Sequence, residues 1–297
     1  MPKVSICIPA YKAAAYLPEA LGSVRTQTFT DWELIVTEDG SDDGTKSLVE
    51  AFAQTVSQPV VYQRHPENRG LPATRNTGIA AARAEYLALL DADDYWDARH
   101  LETLLSVLSA TGADLAHSGS ILFDSATGRH LETRAPGGET QGRFPQSLFL
   151  GDYIIQPSSI ALRREMWKLV GGFDESFRYV EDREMWLRLA RAGAHFRFTG
   201  ENTCHYRKHG DALSTHAADM AIAGARVFEK HLDWTAIPAA IRRQSACDAW
   251  IASARILQRT EPRRAAEFLH RANQISPDVR RRAWAAALRL YALVTGK

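Results

Sequence analysis

Tyr86-Leu87-Ala88-Leu89-Leu90-Asp91-Ala92-Asp93-Asp94 is the stretch that decides the fold. Five apolar residues followed by three carboxylates in four positions read as a strand covered on both faces that ends at a polar edge. In an extended chain alternate side chains face the same way, so Asp91 and Asp93 project together while Ala92 turns inward. Two carboxylates held together repel unless a cation lies between them. Hard oxygen donors favour Mg²⁺ or Mn²⁺, ions that also hold a diphosphate. The competing reading is an Asp-rich turn in which Asp94 caps a helix after Tyr95, and the two readings are compatible.

Working outward, short apolar runs alternate with amphipathic segments, the pattern of a parallel sheet with crossover helices. Val4-Ser5-Ile6-Cys7-Ile8 reads as a strand ended by Pro9. A helix follows over 16–24, with Leu17, Ala20, Leu21 and Val24 on one face. Residues 32–37 read as a second strand, and the turn Glu38-Asp39-Gly40-Ser41-Asp42-Asp43-Gly44 starts a helix over 45–54. Residues 60–62 form a third strand and 71–83 a helix with Pro72 in its first turn. Beyond the Asp cluster the spacing predicts a helix over 98–110, a strand over 115–117 and a long loop over 124–145 of the lid or binding type. A strand over 159–162, a helix over 181–192 and a strand over 196–199 come next. From about residue 215 only helices are expected, over 216–231, 236–259, 262–274 and 279–294. The expected division is therefore an α/β domain over 1–215 and a helical module over 216–297.

Composition narrows the function classes. The chain has 297 residues, 45% hydrophobic and 24% charged, enough for one large core and a smaller appendage. Cys7, Cys204 and Cys247 stand singly, without zinc or redox spacing, which predicts a reducing compartment. Met1-Pro2-Lys3 leads straight into an apolar strand, so a secretory leader is not expected. No run reaches the about 20 apolar residues of a membrane span. A net charge of +1 conceals 12 Lys/Arg against 5 Asp/Glu over 233–297, and 24 against 30 over 1–232. An acidic first part suits cation recruitment and a basic tail suits an anionic surface. Nucleic acid is not an expected partner, because the basic residues lack interleaved stacking aromatics.

Four further clusters can carry chemistry. Glu38-Asp39 ends a strand, where an acidic side chain can meet a ribose hydroxyl or a base N–H; a turn with helix caps is the alternative for Asp42 and Asp43. Asn68-Arg69-Gly70-Leu71-Pro72-Ala73-Thr74-Arg75-Asn76 opens a helix whose N-terminus and Arg75 suit an anionic or nucleotide ligand, or is simply a solvated helix start. In Glu181-Asp182, Asp182 shares a stripe with Met185, Trp186 and Leu189, as an oriented general base would, or serves as an N-cap. Cys204-His205-Tyr206-Arg207-Lys208-His209 offers two imidazoles of metal-ligand type.

Together these segments resemble the family-2 inverting glycosyltransferases of the GT-A fold. The resemblance runs from Val4-Ser5-Ile6-Cys7-Ile8-Pro9-Ala10-Tyr11 through Glu38-Asp39-Gly40-Ser41, residues 68–76 and Asp91-Ala92-Asp93-Asp94. It continues to Val170-Gly171-Gly172-Phe173-Asp174, Glu181-Asp182 with Trp186, and Tyr206-Arg207-Lys208-His209, in order over about 210 residues. It implies a GT-A fold, that is, a Rossmann-like, mostly parallel sheet flanked by helices, here with a C-terminal all-helical extension. It also implies a nucleoside pocket lined by Pro9, Ala10, Tyr11 and Asp39, with Tyr11 against the base and Arg75 near the nucleotide. Asp91 and Asp93 look like the D-x-D element, Asp93 as ligand to Mn²⁺ or Mg²⁺ and Asp91 toward ribose and diphosphate. His209 would complete the coordination or touch the diphosphate, with His205 as the fallback, and Asp182 would be the catalytic base. The implied reaction is one in-line displacement of a nucleoside diphosphate, UDP first and TDP or GDP next, by an acceptor hydroxyl of a saccharide or glycolipid in cell-surface assembly. Lys12 and Glu38 depart from the usual asparagine and aspartate and put donor preference in question.

The tail carries Arg263-Arg264, Arg271, Arg280-Arg281-Arg282 and Arg289 beside Trp284, Leu288 and Tyr291 at helical spacing. Peripheral docking at the inner face of the membrane by an otherwise cytoplasmic protein is one expectation. A small helical pack or homodimer contact is the other. A sugar nucleotidyltransferase is the rival enzyme class, but Pro9-Ala10-Tyr11-Lys12-Ala13-Ala14-Ala15 lacks its glycine-rich phosphate loop. A catalytically inactive nucleotide- or saccharide-binding protein on the same fold is the non-enzyme rival.

Overall fold

The computed structural model describes residues 1–210 and 216–295. The chain forms two compact units, Met1–Phe144 with Gly151–Gly210, and Pro145–Leu150 with Asp211–Lys297. The expected boundary at 215/216 falls at the edge of residues outside the described set.

The first unit opens with β1 (Val4–Ala10), α1 (Leu17–Arg25), β2 (Trp32–Glu38), α2 (Thr45–Ala53), β3 (Val60–Arg64), α3 (Leu71–Ala80) and β4 (Tyr86–Leu89). Then come β5 (Tyr95–Trp96), α4 (His100–Thr111), β6 (Leu115–Asp124), β7 (His130–Arg134) and α5 (Gly138–Gly142). Helix α6 (Gln146–Leu150) belongs to the second unit. The first unit resumes with a 3₁₀ turn (Pro157–Ser159), β8 (Ile160–Arg163), α7 (Arg164–Val170), α8 (Glu181–Arg191) and β9 (Phe196–Lys208).

The sheet runs β3-β2-β1-β4-β8-β6-β9-β5, with β7 beside β6. Strands β3, β2, β1 and β4 are mutually parallel, as are β6 and β9, while β8 is antiparallel to both its neighbours. Strand β4 is covered on both sides, as its unbroken apolar run predicts. Tyr86, Ala88 and Leu90 join a core with Val4, Ile6, Ile8 and residues of α1 and α4. Leu87 and Leu89, also fully buried, face the other way.

Pro9 does not end the first strand, which continues to Ala10. The Cys7 carbonyl accepts from Leu90 on the β4 side and the Ala10 carbonyl accepts from Asp39 on the β2 side. Pro9 shares the orientation of Cys7, so its missing N–H points past the end of β4, where no ladder bond is lost. Strands β6 and β9 are each far longer than 115–117 and 196–199. Their parallel pairing shifts register around Gly119, where a Cβ would lie 1.9 Å from Asn202 Oδ1 and 2.8 Å from the Arg134 carbonyl. Only glycine fits that close approach, so a residue that reads as a strand breaker marks a bulge instead. The long loop expected over 124–145 is part hairpin: β7 returns along β6 after a turn with Gly128 at φ 68°. Its sequence His-Leu-Glu-Thr-Arg has no apolar alternation to reveal it.

In the second unit α9 (Ala217–Lys230), α10 (Ala239–Leu257), α11 (Pro262–Ile275) and α12 (Val279–Thr295) follow α6. Trp250, Ala254, Ala265, Leu269 and Ala272 form the centre of its own core. No helix among the described residues is long and apolar enough to cross a membrane.

Candidate active site

The polar edge predicted after β4 lies at the carboxyl ends of the parallel strands, where open α/β sheets bind ligands. Asp91, Asp93 and Asp94 take three different positions there. The Asp91 carboxylate receives both oxygens' bonds from Arg75 Nη2, at 2.7 and 2.9 Å. Arg75 Nη1 reaches across to Glu181 Oε1 at 2.5 Å. Arg75 is 2% exposed and its guanidinium lies 5.3 Å from the Phe173 ring. One buried cation therefore ties the end of β4 to the first turn of α8, where Asp182 sits next to Glu181.

Electrostatics follow from that burial. Desolvation works against the Arg75 charge, and Asp91 with Glu181 more than restores it. Burial pushes the Glu181 carboxyl up to about 7, against the pull of Arg75 and with the push of Asp182. Asp182 is also raised above the ordinary aspartate range, by burial first. An N–H bond from Arg183 at 2.7 Å and the Arg75 charge oppose that rise, and nearby Asp91 adds to it. Asp182 is not the N-cap of α8. That place is taken by Val180, a β-branched residue at φ 60°, a conformation costing roughly 1–3 kcal/mol that persists only where surroundings impose it.

Asp93 lies on the other side of the cluster. Its Oδ2 is 2.9 Å from His209 Nε2, and its backbone carbonyl accepts from Arg207 Nε at 2.7 Å. Asp93 is one-third exposed and His209 mostly buried, a carboxylate–imidazole pair of the donor types that take Mn²⁺ or Mg²⁺. The expected third donor, Asp91, instead faces Arg75. Among the described residues no group of three or more His, Cys, Asp or Glu is gathered as metal ligands. His205, the fallback, pairs with Asp97 at 2.9 Å and stacks on Tyr95 at 4.3 Å, apart from Asp93.

Asp94 corrects the capping expectation. Tyr95 and Trp96 form β5, and α4 starts only at His100 with Arg99 as its N-cap. Asp94 is buried, accepting from Ser158 Oγ at 2.6 Å and from the Arg207 N–H at 3.0 Å. Ser158 Oγ in turn accepts from the Asp91 N–H at 3.0 Å. Burial, then Asp93 and Asp91, hold the Asp94 carboxyl well above the usual range.

At the neighbouring strand ends, Pro9 and Ala10 close β1, and Tyr11 and Asp39 are the first residues after β1 and β2. Tyr11 is 48% exposed and borders a cleft of about 610 Å³ with Lys12, Gly40, Ser41, Asp42 and Asp43. Ala10 is buried. Lys12 holds φ 51° while its N–H bonds Ser41 Oγ at 3.1 Å. Glu38, the departure from aspartate, is buried and accepts from Ser41 Oγ at 2.8 Å and from the Tyr62 hydroxyl. Asp39 is 2% exposed. Its carboxylate accepts from the Arg69 and Gly70 N–H groups, each at 2.8 Å, and faces His65 Nδ1 at 2.7 Å. It anchors the loop that leads into α3.

Sequence reasoning singled out neither Glu181 as the second partner of Arg75 nor Ser158 and Arg207 as supports of the Asp cluster. Asn76, in α3, has a structural role that its local sequence does not announce. It pins the turn before α8 by bonding both backbone groups of Phe173, at 2.9 and 2.8 Å. Only Glu181 carried a local signal, its place beside Asp182.

An open α/β sheet with acidic groups converging at the carboxyl ends of its strands defines the class of α/β folds that take ligands at that edge. Within that class, the Glycosyl transferase family 2 profile matches residues 5–168, more than half of the chain, and the chain belongs to that family. A Bacillus subtilis protein named "Putative teichuronic acid biosynthesis glycosyltransferase TuaG" is 28% identical over 218 residues, covering 72% of this chain and 82% of that protein. S. aureus TarS 1–349 in complex with UDP-GlcNAc superposes with a TM-score of 0.72 at 17% identity, covering 99% and 92% of the two chains. The mannosyltransferase PcManGT of Pyrobaculum calidifontis, in complex with GDP-Man and Mn²⁺, gives 0.63 at 19% identity, covering 99% and 86%. These structures share the GT-A fold expected from the sequence. The match spans 67%, 60% and 63% of the lengths of three other curated glycosyltransferases, from Rickettsia typhi, Rickettsia prowazekii and Bacillus subtilis.

Proposed function

We propose that the chain is an inverting glycosyltransferase that moves a sugar from a nucleoside-diphosphate donor, UDP first, to an acceptor hydroxyl in cell-surface polysaccharide or glycolipid assembly. The observation that carries the reading is the Arg75 bridge, which holds the D-x-D end of β4 and the Glu181-Asp182 start of α8 at one site. TuaG, named for teichuronic acid biosynthesis, and TarS, bound to UDP-GlcNAc, support the polymer class and the UDP donor.

Asp182 accepts the proton of the acceptor hydroxyl as its oxygen attacks the anomeric carbon and the bond to the diphosphate breaks. Its raised pKa brings a carboxylate nearer to the strength this task needs. Arg75 orients Asp91 and, through Glu181, the base-bearing turn. Asp93 and His209 are the residues that fit a divalent ion, and PcManGT, in complex with GDP-Man and Mn²⁺, supports its use. When bound, that ion supplies positive charge to the leaving diphosphate. Tyr11 at the open cleft offers a ring face to the base, and Lys12 beside it adds a cation near the same cleft.

Thermal shift with UDP, GDP and TDP sugars, with and without Mn²⁺, identifies the donor, since a ligand stabilises the fold that binds it. Transfer and donor hydrolysis should then vanish in Asp182→Asn while nucleotide binding survives. Retained turnover in that variant would remove Asp182 from the role of base. Absence of turnover in the wild type with every bound donor would favour the inactive binding protein.

A further inference from the structure

Helix α12 has two apolar faces. Ala285, Leu288 and Ala292 are 8%, 9% and 0% exposed and pack inward. At about 100° per residue, Val279, Ala283, Ala286, Leu290, Leu293 and Val294 fall on one arc opposite them, and all six are exposed. Val279, Leu290, Leu293 and Val294 are 80%, 63%, 72% and 79% exposed. A surface helix normally turns a polar face outward, so this arc asks for an occupant. It is not the face that Trp284, Leu288 and Tyr291 outline in sequence, for Leu288 is buried and Trp284 packs on the unit's core.

Charge selects the occupant. Arg280 flanks the arc on one side and Arg282 and Arg289 on the other, all exposed. Arg281 turns inward instead, donating to the Ala272 and Ser276 carbonyls at 3.0 and 2.8 Å. The helix contains no Asp or Glu. Two copies meeting through this face would bring arginines together with no carboxylate on the helix to pair them. Lipid phosphates satisfy the same arginines while the apolar arc enters the acyl boundary.

We infer that α12 is an interfacial helix that docks the protein on an anionic phospholipid surface through Leu290, Leu293 and Val294, with Arg280, Arg282 and Arg289 on the headgroups. The inference is independent of the donor or the reaction.

The test is co-sedimentation of the full chain with phosphatidylcholine vesicles, with and without phosphatidylglycerol. Partition should require phosphatidylglycerol and weaken with added salt. Leu290→Gln with Leu293→Gln and Val294→Gln should lower it roughly tenfold or more. Replacing Arg280, Arg282 and Arg289 by Gln should lower it on the order of a hundredfold. If the triple apolar variant fails to fold, Leu293→Gln alone, at a 72% exposed site, carries the measurement. Equal partition with neutral vesicles, no partition, or unchanged partition of the variants overturns the inference. So does a lipid-free dimer in sedimentation velocity that the apolar variants dissociate, which would make the arc a contact between copies.

Discussion

Replacing Arg75 by Met removes the single cation that stands between Asp91 and Glu181 while keeping most of the buried volume. Arg75 is 2% exposed, holds Asp91 through two bonds and Glu181 through one, and its loss strands two carboxylates in a buried site. Breaking a buried pair from one side costs about 3–5 kcal/mol. At 2–4 °C per kcal/mol for a unit of this size, the thermal midpoint should fall by roughly 6–20 °C. The loss should depend on pH in a definite sense. Glu181 already titrates at about 7 in the folded chain against 4.5 when free. A carboxyl raised by folding disfavours its own ionised form, so its cost is absent below 4.5 and grows as pH rises toward the folded value. Without Arg75 that value moves higher still, and the gap to wild type should widen from pH 6 to pH 8. Adding Glu181→Gln should recover part of the loss at pH 8, because one of the stranded charges is gone. Scanning calorimetry of the three proteins at both pH values reads all of this. A single variant within about 1 kcal/mol of wild type at pH 8, or a gap indifferent to pH, would refute the claim that Arg75 is the electrostatic keystone of the site.

Transfer should need ionised Asp182, so kcat/KM should fall as pH drops through a value above the ordinary 3.8 of aspartate; a profile flat on the acid side speaks against it. His209→Ala should raise the Mn²⁺ concentration needed for half-maximal turnover by about tenfold or more, whereas His205→Ala, which breaks the pair with Asp97 and the stack on Tyr95, should leave it unchanged. Gly40→Ala should destabilise by at least about 2 kcal/mol in urea denaturation, because φ is 75° and the new Cβ would sit 2.4 Å from the Glu67 carbonyl carbon; a smaller loss would mean that the loop at 67–68 yields readily.

The elements legible in the sequence are those whose pattern is set by burial alone. Strands β1, β2 and β4 are legible because both faces are buried and their runs are largely apolar; β3, only partly buried, shows in the short run Val60-Val61-Tyr62, and the four tail helices show because each packs one stripe. What escaped was set by partners distant in sequence. Gly119 and Gly200 look like strand breakers, yet β6 and β9 run through them, because the pairing shifts register there, from His117 with Phe198 to Gly119 with Asn202, and resumes beyond. Asp94 looks like a helix cap until Ser158, 64 residues on, claims it. Arg75 and Asp39 were expected to face a nucleotide. The first is committed to two carboxylates and the second to the backbone of 69–70. A buried charge must be met by whatever the fold brings nearest, and local sequence does not record those partners. Here the fold brings Asp91 and Glu181 to Arg75 first. The carboxylates left more open to an incoming ligand are Asp93, beside His209, and Asp182, half-buried at the start of α8. The proposed chemistry therefore divides between committed charges that hold the site's shape and the less committed Asp93 and Asp182, assigned under that proposal to donor and acceptor.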